Sequence, residues 1–477
     1  MILIALGRVV QMLLMVVTMR VATTFLPPAE MARVFLISSA VALYASIFIN
    51  PVGMFMNRRL HSWNARGMVR YYYNYFWLYL LFAGMVTSVS MAVFVSAHLL
   101  VFHMELNWLL FLIFGSTLIS TANQVVIPGL NLLGYRTWFV YLTLATTAAS
   151  LVMASLMMIF IQPRTEYWLL GLLIGQLLMV FVGGLVFYKH IKSPDYQGDS
   201  AIGMSSNHVK LMWRFAWPII ISAGLLWVQT QSYRFFMEGS LGLVQVGLFV
   251  AGYGVSAGII AGFESVFTTY YQPIFYKHVS GEDVAAQGKA WTNYAGAILP
   301  SLLLVGFFLV AAATELTRLL LGDSYRDSSQ FLVWGAIAEL ARVANGVYGM
   351  VAHARMKTKL LLFPNMIGVV ISVTVMLWLM PKYGAAGVGV ALVLAGIAVF
   401  IATYFATRAE LVTTLPYRTL IQSVAVGVPL VAVAYMARQI MGSEGMVAAL
   451  MLLSLLAAVF LPSQYWILRP FLHGKNK

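Results

Sequence analysis

The chain has 477 residues, of which 61% are hydrophobic and only 9% are charged. About a quarter of the residues are charged in soluble globular proteins, so this composition excludes that class. The chain has no cysteine, which excludes disulfides, thiol catalysis and cysteine metal sites. Its eight histidines are scattered without the spacing of metal ligands, so we expect no metal ion and no other cofactor.

Long apolar runs predict an all-α integral membrane protein. A β-barrel would instead show segments of about ten residues with in-out alternation. A helix needs about 20 apolar residues to cross a bilayer. By this measure the sequence predicts about fourteen transmembrane helices, at residues 3–25, 34–55, 75–97, 108–130, 138–161, 168–188, 217–236, 244–270, 291–313, 331–351, 360–380, 387–407, 420–436 and 446–466.

The formal net charge of +14 is distributed unevenly between alternate loops. With the N-terminus inside, twenty of the 29 basic residues fall in cytoplasmic segments. Seven fall at the outer side, namely Arg33, Arg164, Arg234, Arg318, Arg326, Lys382 and Arg438. This excess predicts that both termini are cytoplasmic, and it explains the positive charge without nucleic acid.

Weak internal similarity predicts two homologous halves. Pro51 and Pro273 are 222 residues apart, and Asn123 and Asn345 have the same offset. We therefore expect an N-terminal six-helix bundle at residues 1–190, a cytoplasmic linker at 191–214 and a C-terminal six-helix bundle at 215–410. Residues 411–477 would form two additional helices and a cytoplasmic tail.

Charged residues within spans indicate function, because a charge at mid-membrane costs about 2.5–3.5 kcal/mol on insertion scales. Arg234 is the strongest candidate. Trp227, Gln231 and Arg234 are spaced i, i+4, i+7, which puts an aromatic ring, an amide and a guanidinium on one helix face. Such a set suits a sugar with a phosphate. Alternatively, Arg234 extends outward and pairs with Glu238.

Four further charged residues lie within predicted spans. Arg20 has no acidic residue at i+3 or i+4 and occupies the position of Arg234 in the repeat, so we expect both to bind substrate. Glu339 and Arg342 are spaced i, i+3 and predict a structural ion pair. Glu264 has no basic residue within a turn and is either a proton or cation site or a hydrogen-bond partner of a neighbouring helix or headgroup. The candidates for ion coupling are therefore Glu264, Glu339 and Arg342.

The chain resembles the multidrug/oligosaccharidyl-lipid/polysaccharide flippase superfamily, in particular its Wzx-type polysaccharide flippases. The resemblance covers nearly the whole chain as two six-helix halves and two extra helices. The residues that carry it are Asn50-Pro51, Gln272-Pro273, residues 131–136 (Asn-Leu-Leu-Gly-Tyr-Arg) and residues 321–325 (Leu-Gly-Asp-Ser-Tyr). The chain differs from the lipid II flippases in having few basic residues at membrane depth.

The resemblance implies alternating access and a bacterial inner-membrane location. The cargo would be a polyprenyl-pyrophosphate-linked oligosaccharide for O-antigen, capsule or exopolysaccharide assembly, and Arg20 and Arg234 would be the cavity arginines of the two halves. Membrane lipids and a polysaccharide polymerase are the expected partners.

The alternative is a cation-coupled multidrug antiporter of the same superfamily. In the family's pattern such antiporters use a buried carboxylate in the N-terminal half, and the first six spans here contain no acidic residue at depth. An enzyme is not expected, because no large outer loop or paired carboxylates provide acid-base chemistry.

Overall fold

The computed structural model describes residues 2–98, 100–191, 206–279, 284–355, 357–411, 415–441 and 445–472. Within these ranges the backbone forms eighteen α-helices, with short π-helical and 3-10 segments and no strand. In this described part of the chain, twelve helical stretches are long and apolar enough to cross a bilayer. The predicted all-α membrane class is therefore confirmed. The remaining two predicted spans coincide with two helices that are less apolar than these twelve. They are Ser206–Gln231 and Ser329–Ala354.

The chain divides into two compact units. The first consists of Met1–Thr18 and Ala29–Phe235. It contains most of α1 (Ile2–Phe25), the beginning of α10 (Tyr233–Leu241), and the helices α2 (Pro28–Tyr44), α3 (Asn50–Ala65), α4 (Val69–Ser96), α5 (Leu106–Gly115), α6 (Thr121–Leu132), α7 (Arg136–Phe160), α8 (Thr165–His190) and α9 (Ser206–Gln231).

The second unit consists of Met19–Pro28 and Phe236–Lys477. Its helices are α11 (Leu243–Val279), α12 (Val284–Ala311), α13 (Ala313–Leu320), α14 (Ser329–Ala354), α15 (Leu362–Tyr383), α16 (Ala385–Thr407), α17 (Tyr417–Met441) and α18 (Met446–Leu472). The predicted four-segment division of the chain stays a prediction. Residues 192–205 of the predicted linker and 473–477 of the predicted tail lie outside the described residues.

Glycines allow close contact between α7 and α8 in the first unit. A Cβ atom at Gly171 would overlap the backbone of Ala154, and one at Gly175 would overlap the backbone of Ser150. The two glycines are one turn apart, so they form a groove on α8 that receives the backbone of α7. This contact holds α8 close against α7.

Pro51 lies within continuous helix and does not end it. A π-helical turn, Ala45–Ile49, follows α2, and α3 begins at once at Asn50. Pro51 occupies the first turn of α3, where a missing backbone N–H costs little. The π turn thus accommodates the proline, and the helix continues to Ala65.

A bidentate ion pair between Arg438 and Glu315 joins α17 to α13 in the second unit. Arg438 donates to both carboxylate oxygens of Glu315, at 2.9 Å from Nε and 2.6 Å from Nη2. Nη2 also donates to the carbonyl oxygen of Ala311 at 2.5 Å. Because the Glu315 side chain is only 6% exposed, it needs this partner, and the pair fixes α17 firmly.

Hydrogen bonds hold the end of α1 against the segment that follows α13. The backbone N–H of Gly322 donates to Thr23 Oγ1 at 2.9 Å, and the hydroxyl of Tyr325 donates to the carbonyl oxygen of Leu26 at 2.8 Å. A Cβ atom at Gly322 would overlap the carbonyl oxygen of Thr23. Burial raises the pKa of Tyr325, which keeps its hydroxyl protonated as a donor. Two residues of the 321–325 motif therefore have a structural role.

Candidate functional site

Trp227, Gln231 and Arg234 lie around a break between two helices of the first unit. α9 ends at Gln231 and α10 begins at Tyr233, with Ser232 between them. The predicted span at 217–236 is thus interrupted near its outer end. Broken helices are a common way to build a binding site at membrane depth, because their ends release polar groups.

The three predicted residues converge on one residue of α2, Ser39. Trp227 Nε1 donates to the carbonyl oxygen of Ser39 at 2.8 Å, and Arg234 Nη1 donates to its hydroxyl at 2.5 Å. The same hydroxyl lies 3.4 Å from Gln231 Oε1. Ser39 is almost completely buried. The face predicted from the i, i+4, i+7 spacing is therefore present, and it packs against α2.

The guanidinium of Arg234 has aromatic neighbours and one unused amino group. Its central carbon lies 5.7 Å from the centre of the Phe35 ring and 5.6 Å from that of Tyr233. Longer contacts join Nε to the Tyr233 hydroxyl at 3.4 Å and Nη1 to the Phe35 carbonyl oxygen at 3.5 Å. Nη2 has no hydrogen-bond partner among the described residues. A half-buried cation with a free donor pair can bind an anionic oxygen.

Arg20 has a different environment, in the second unit. Its Nη1 donates to the carbonyl oxygen of Arg318 at 3.1 Å. Arg318 lies in the last turn of α13, where the carbonyl groups carry the negative end of the helix dipole. Arg20 therefore caps α13. This is a structural role, whereas the predicted equivalence with Arg234 concerns substrate binding.

The three candidates for ion coupling form one cluster in the second unit. Arg342 Nε donates to Glu339 Oε2 at 2.5 Å, which is the predicted ion pair. Arg342 Nη2 donates to Glu264 Oε2 at 2.7 Å, so α14 supplies the basic partner that α11 lacks. The hydroxyl of Tyr253 donates to Glu339 Oε1 at 3.0 Å. A glycine one turn before Glu339, Gly335, permits this approach, since a Cβ there would lie 2.9 Å from the Cα of Tyr253.

The charges of this cluster do not balance. Two carboxylates and one guanidinium sum to −1 when all are ionised, and the side chains of Glu264 and Glu339 are only 22% and 9% exposed. A buried net charge is costly unless a counter-charge joins it. The cluster therefore contains one more carboxylate than its single guanidinium can balance. No group of three metal-binding side chains occurs among the described residues.

No protein-family model matches the chain, and no curated protein sequence matches it. Solved structures do match. The lipid II flippase MurJ in an inward closed conformation has a TM-score of 0.72 and 13% identity, over 99% of this chain and 100% of that one. An inward-facing multidrug resistance MATE transporter of the MOP superfamily has a TM-score of 0.59 and 14% identity, over 85% of this chain and 98% of that one. A eukaryotic MATE transporter has a TM-score of 0.51 and 12% identity, over 87% and 94%.

The chain has the fold of the MurJ and MATE transporters. At 12–14% identity the likeness concerns the course of the backbone, so the roles of individual side chains rest on their own contacts. For Trp227, Gln231 and Arg234 those contacts are with Ser39 and its neighbour Phe35.

Ser39 and Tyr253 carry no signal in the sequence that marks them as site residues. A serine in an apolar helix usually bonds its own backbone, and Ser39 does so with the carbonyl oxygen of Phe35 at 2.7 Å. Nothing in the local sequence therefore marks it. Tyr253 lies among glycines and small residues of α11, and only its distance to Glu339 reveals its role.

Proposed function

We propose that the protein is a flippase that moves a polyprenyl-pyrophosphate-linked oligosaccharide across the bacterial inner membrane by alternating access. The product would serve O-antigen, capsule or exopolysaccharide assembly, where a polysaccharide polymerase consumes it. The observation that carries the proposal is the half-buried Arg234 guanidinium, which is held by Ser39 and keeps Nη2 available.

The chemistry of this site fits a sugar-phosphate head. Arg234 is anchored through Nη1, so Nη2 can donate to a phosphate oxygen without a large loss of side-chain entropy. The nearby rings of Phe35 and Tyr233 lower the local dielectric and strengthen that contact. Trp227 and Gln231 add a ring face and an amide, the two group types that bind sugars.

The physical task of such a protein is to lower a desolvation barrier. Transfer of a charged sugar-phosphate head into hydrocarbon has a large free-energy cost, whereas a prenyl chain is apolar and dissolves there. A polar site at membrane depth replaces the lost water contacts of the head. The likeness to MurJ supports a lipid-linked cargo, since that protein is named for flipping lipid II.

The second candidate function is cation-coupled multidrug antiport. The observation that favours it is the partly buried cluster of Glu264, Glu339 and Arg342, in which two carboxylates share one guanidinium. The likeness to MATE transporters is consistent with this function. In a flippase, the same cluster would couple lipid transport to a proton or cation gradient.

The test is mass spectrometry of lipid extracts from the native host after deletion of this gene. We expect a polyprenyl-pyrophosphate oligosaccharide to accumulate, and to disappear when the wild-type gene is restored. A gene encoding Arg234→Ala, expressed at an equal protein level, should leave the intermediate in place. Unchanged lipids together with new sensitivity to cationic dyes would instead support the antiporter.

A further inference from the structure

One buried aromatic ring lies in the connection between α4 and α5. Residues 100–105 of this connection form no regular secondary structure. With a cytoplasmic N-terminus, the connection is expected at the outer side of the membrane. Phe102 is only 2% exposed, whereas Val101 before it is 43% exposed and His103 after it is also exposed. The Phe102 ring therefore points from the surface into the first unit.

The Phe102 ring reaches the candidate site through Phe235, the residue next to Arg234. The centres of the two rings are 6.0 Å apart, and their planes are nearly perpendicular, at 79°. The Phe235 ring lies in turn 6.0 Å from that of Trp227, whose indole N–H donates to the carbonyl oxygen of Ser39. Three rings thus form a continuous row from the outer connection to the residues that hold the guanidinium.

The backbone of the connection has an unusual course. His98 and His103, on either side of Phe102, have positive φ angles of 56° and 50°. Few residues other than glycine adopt such angles, because the Cβ atom then crowds the backbone. Such a conformation persists where surrounding contacts compensate for it. The packing of Phe102 on Phe235 is a contact of this kind, so the course of the connection and the position of this ring are coupled.

This row of rings lies on the outer side of Arg234, where a translocated head would have to leave. A polar head needs a route that offers water or hydrogen-bonding groups, and a packed pair of phenyl rings offers neither. An aromatic pair shifts an equilibrium by only about three- to tenfold beyond the effect of its buried area. The contact between Phe102 and Phe235 is therefore strong enough to cover the site and weak enough to open.

We infer that Phe102 covers the outer end of the Arg234 site, and that its ring must leave Phe235 before a bound head reaches the outer side. The inference rests on the proposed flippase function only for the identity of that head. Phe102 acts on access to the site and makes no contact with the cargo's phosphate. Its removal should therefore change how easily the site is reached from outside.

The test measures access to position 231 from the outer side. Because the chain contains no cysteine, Gln231→Cys provides a single thiol beside Arg234. Right-side-out membrane vesicles that contain the full-length protein are treated with a membrane-impermeant maleimide, and the labelling rate is measured. Adding Phe102→Ala should raise this rate about tenfold, the factor that corresponds to the loss of one aromatic pair. Phe102→Leu should raise it by a smaller factor, and it provides the comparison if the alanine variant does not fold.

Two matched substitutions distinguish a cover from general loosening of the protein. Phe94→Ala removes a ring of α4 that is 40% exposed, so the labelling rate should not change. Leu109→Ala removes a buried side chain of α5 and should lower the melting temperature, again at an unchanged labelling rate. A separate single-thiol variant, Val101→Cys, should be labelled quickly, which shows that the connection faces outward.

Equal labelling rates of Gln231→Cys with and without Phe102→Ala would overturn the inference. An equal rise with Phe94→Ala or Leu109→Ala would do the same, as would protection of Val101→Cys from the reagent. Labelling requires no cargo, so these results are independent of the lipid analysis that tests the flippase function. Accumulated lipid-linked oligosaccharide with equal labelling rates would refute the cover alone. Faster labelling with unchanged lipids would refute the flippase and keep Phe102 as the cover of the site.

Discussion

Arg234 Nη1 lies 2.5 Å from the hydroxyl oxygen of Ser39, a residue buried in α2. This contact joins the broken helix pair α9–α10 to α2 and fixes one of the two amino groups of the guanidinium. A lysine has a single ammonium on a flexible chain, so it cannot hold Ser39 and a second acceptor in the same planar arrangement. The geometry therefore depends on arginine.

The first prediction concerns the identity of this cation. Arg234→Lys should impair transport nearly as much as Arg234→Ala, because both remove the planar donor pair. Ser39→Ala keeps the charge and loses one charge-assisted hydrogen bond, worth about 1.5–3 kcal/mol, so its defect should be smaller. Accumulation of the lipid-linked intermediate, normalised to protein level, is the measurement. Full transport by the Lys variant would rule out binding through both amino groups.

The second prediction concerns Arg20, which caps α13 through the carbonyl oxygen of Arg318. Arg20→Ala should lower the free energy of unfolding by about 0.3–1 kcal/mol, the usual worth of a cation at a helix C-terminus. Arg20→Lys should restore most of it, since the charge is kept. Thermal unfolding of the purified variants measures both. A transport defect like that of Arg234→Ala, at unchanged stability, would instead support the predicted cavity role of Arg20.

Helical periodicity predicts which residues of one helix lie on a common face. The spacing of Trp227, Gln231 and Arg234 predicts their common face, and the long apolar runs predict the fold class. The partner residue is a different matter. Ser39 lies 188 residues before Trp227 in the sequence, and spacing along a helix has no information about a contact at that separation.

The same limit applies to the acidic cluster and to Pro51. Glu264 has no basic residue within a turn of its own helix, and its partner Arg342 is 78 residues away on α14. Proline usually ends or kinks a helix, but a π turn at Ala45–Ile49 keeps Pro51 within continuous helix. Tertiary packing decides both cases, and packing is what a single sequence encodes least directly.

The third prediction concerns the cluster of Glu264, Glu339 and Arg342. Arg342→Gln leaves two partly buried carboxylates without a cation and should lower the free energy of unfolding by about 1.5–3 kcal/mol. Adding Glu264→Gln to that variant removes one of the unpaired charges and should restore part of the stability. Thermal unfolding in detergent at constant pH provides the measurement.

The matched control for this cluster is Arg326→Gln. Arg326 pairs with Asp323 at 3.3 Å, but both side chains are mostly exposed, at 66% and 84%. Exposed pairs contribute about 0–1 kcal/mol, so stability should hardly change. Equal losses in the Arg342 and Arg326 variants would show that burial does not strengthen the cluster, and would remove the reason to assign it a coupling ion.

The fourth prediction concerns Gly322, which allows the end of α1 to contact the segment after α13. Its φ of −66° suits any residue, so the obstacle to alanine is steric: the new Cβ would overlap the Thr23 carbonyl oxygen, a backbone atom that cannot turn away. Gly322→Ala should cost about 1–3 kcal/mol, as overpacking usually does. Gly254→Ala is the control, because Gly254 lies inside α11 with nothing within 4 Å of a new Cβ. There alanine should be neutral or stabilise the helix by up to about 1 kcal/mol. If both variants melt at the wild-type temperature, the contact at Thr23 is loose, and the bonds from Gly322 and Tyr325 do not hold the end of α1 in place.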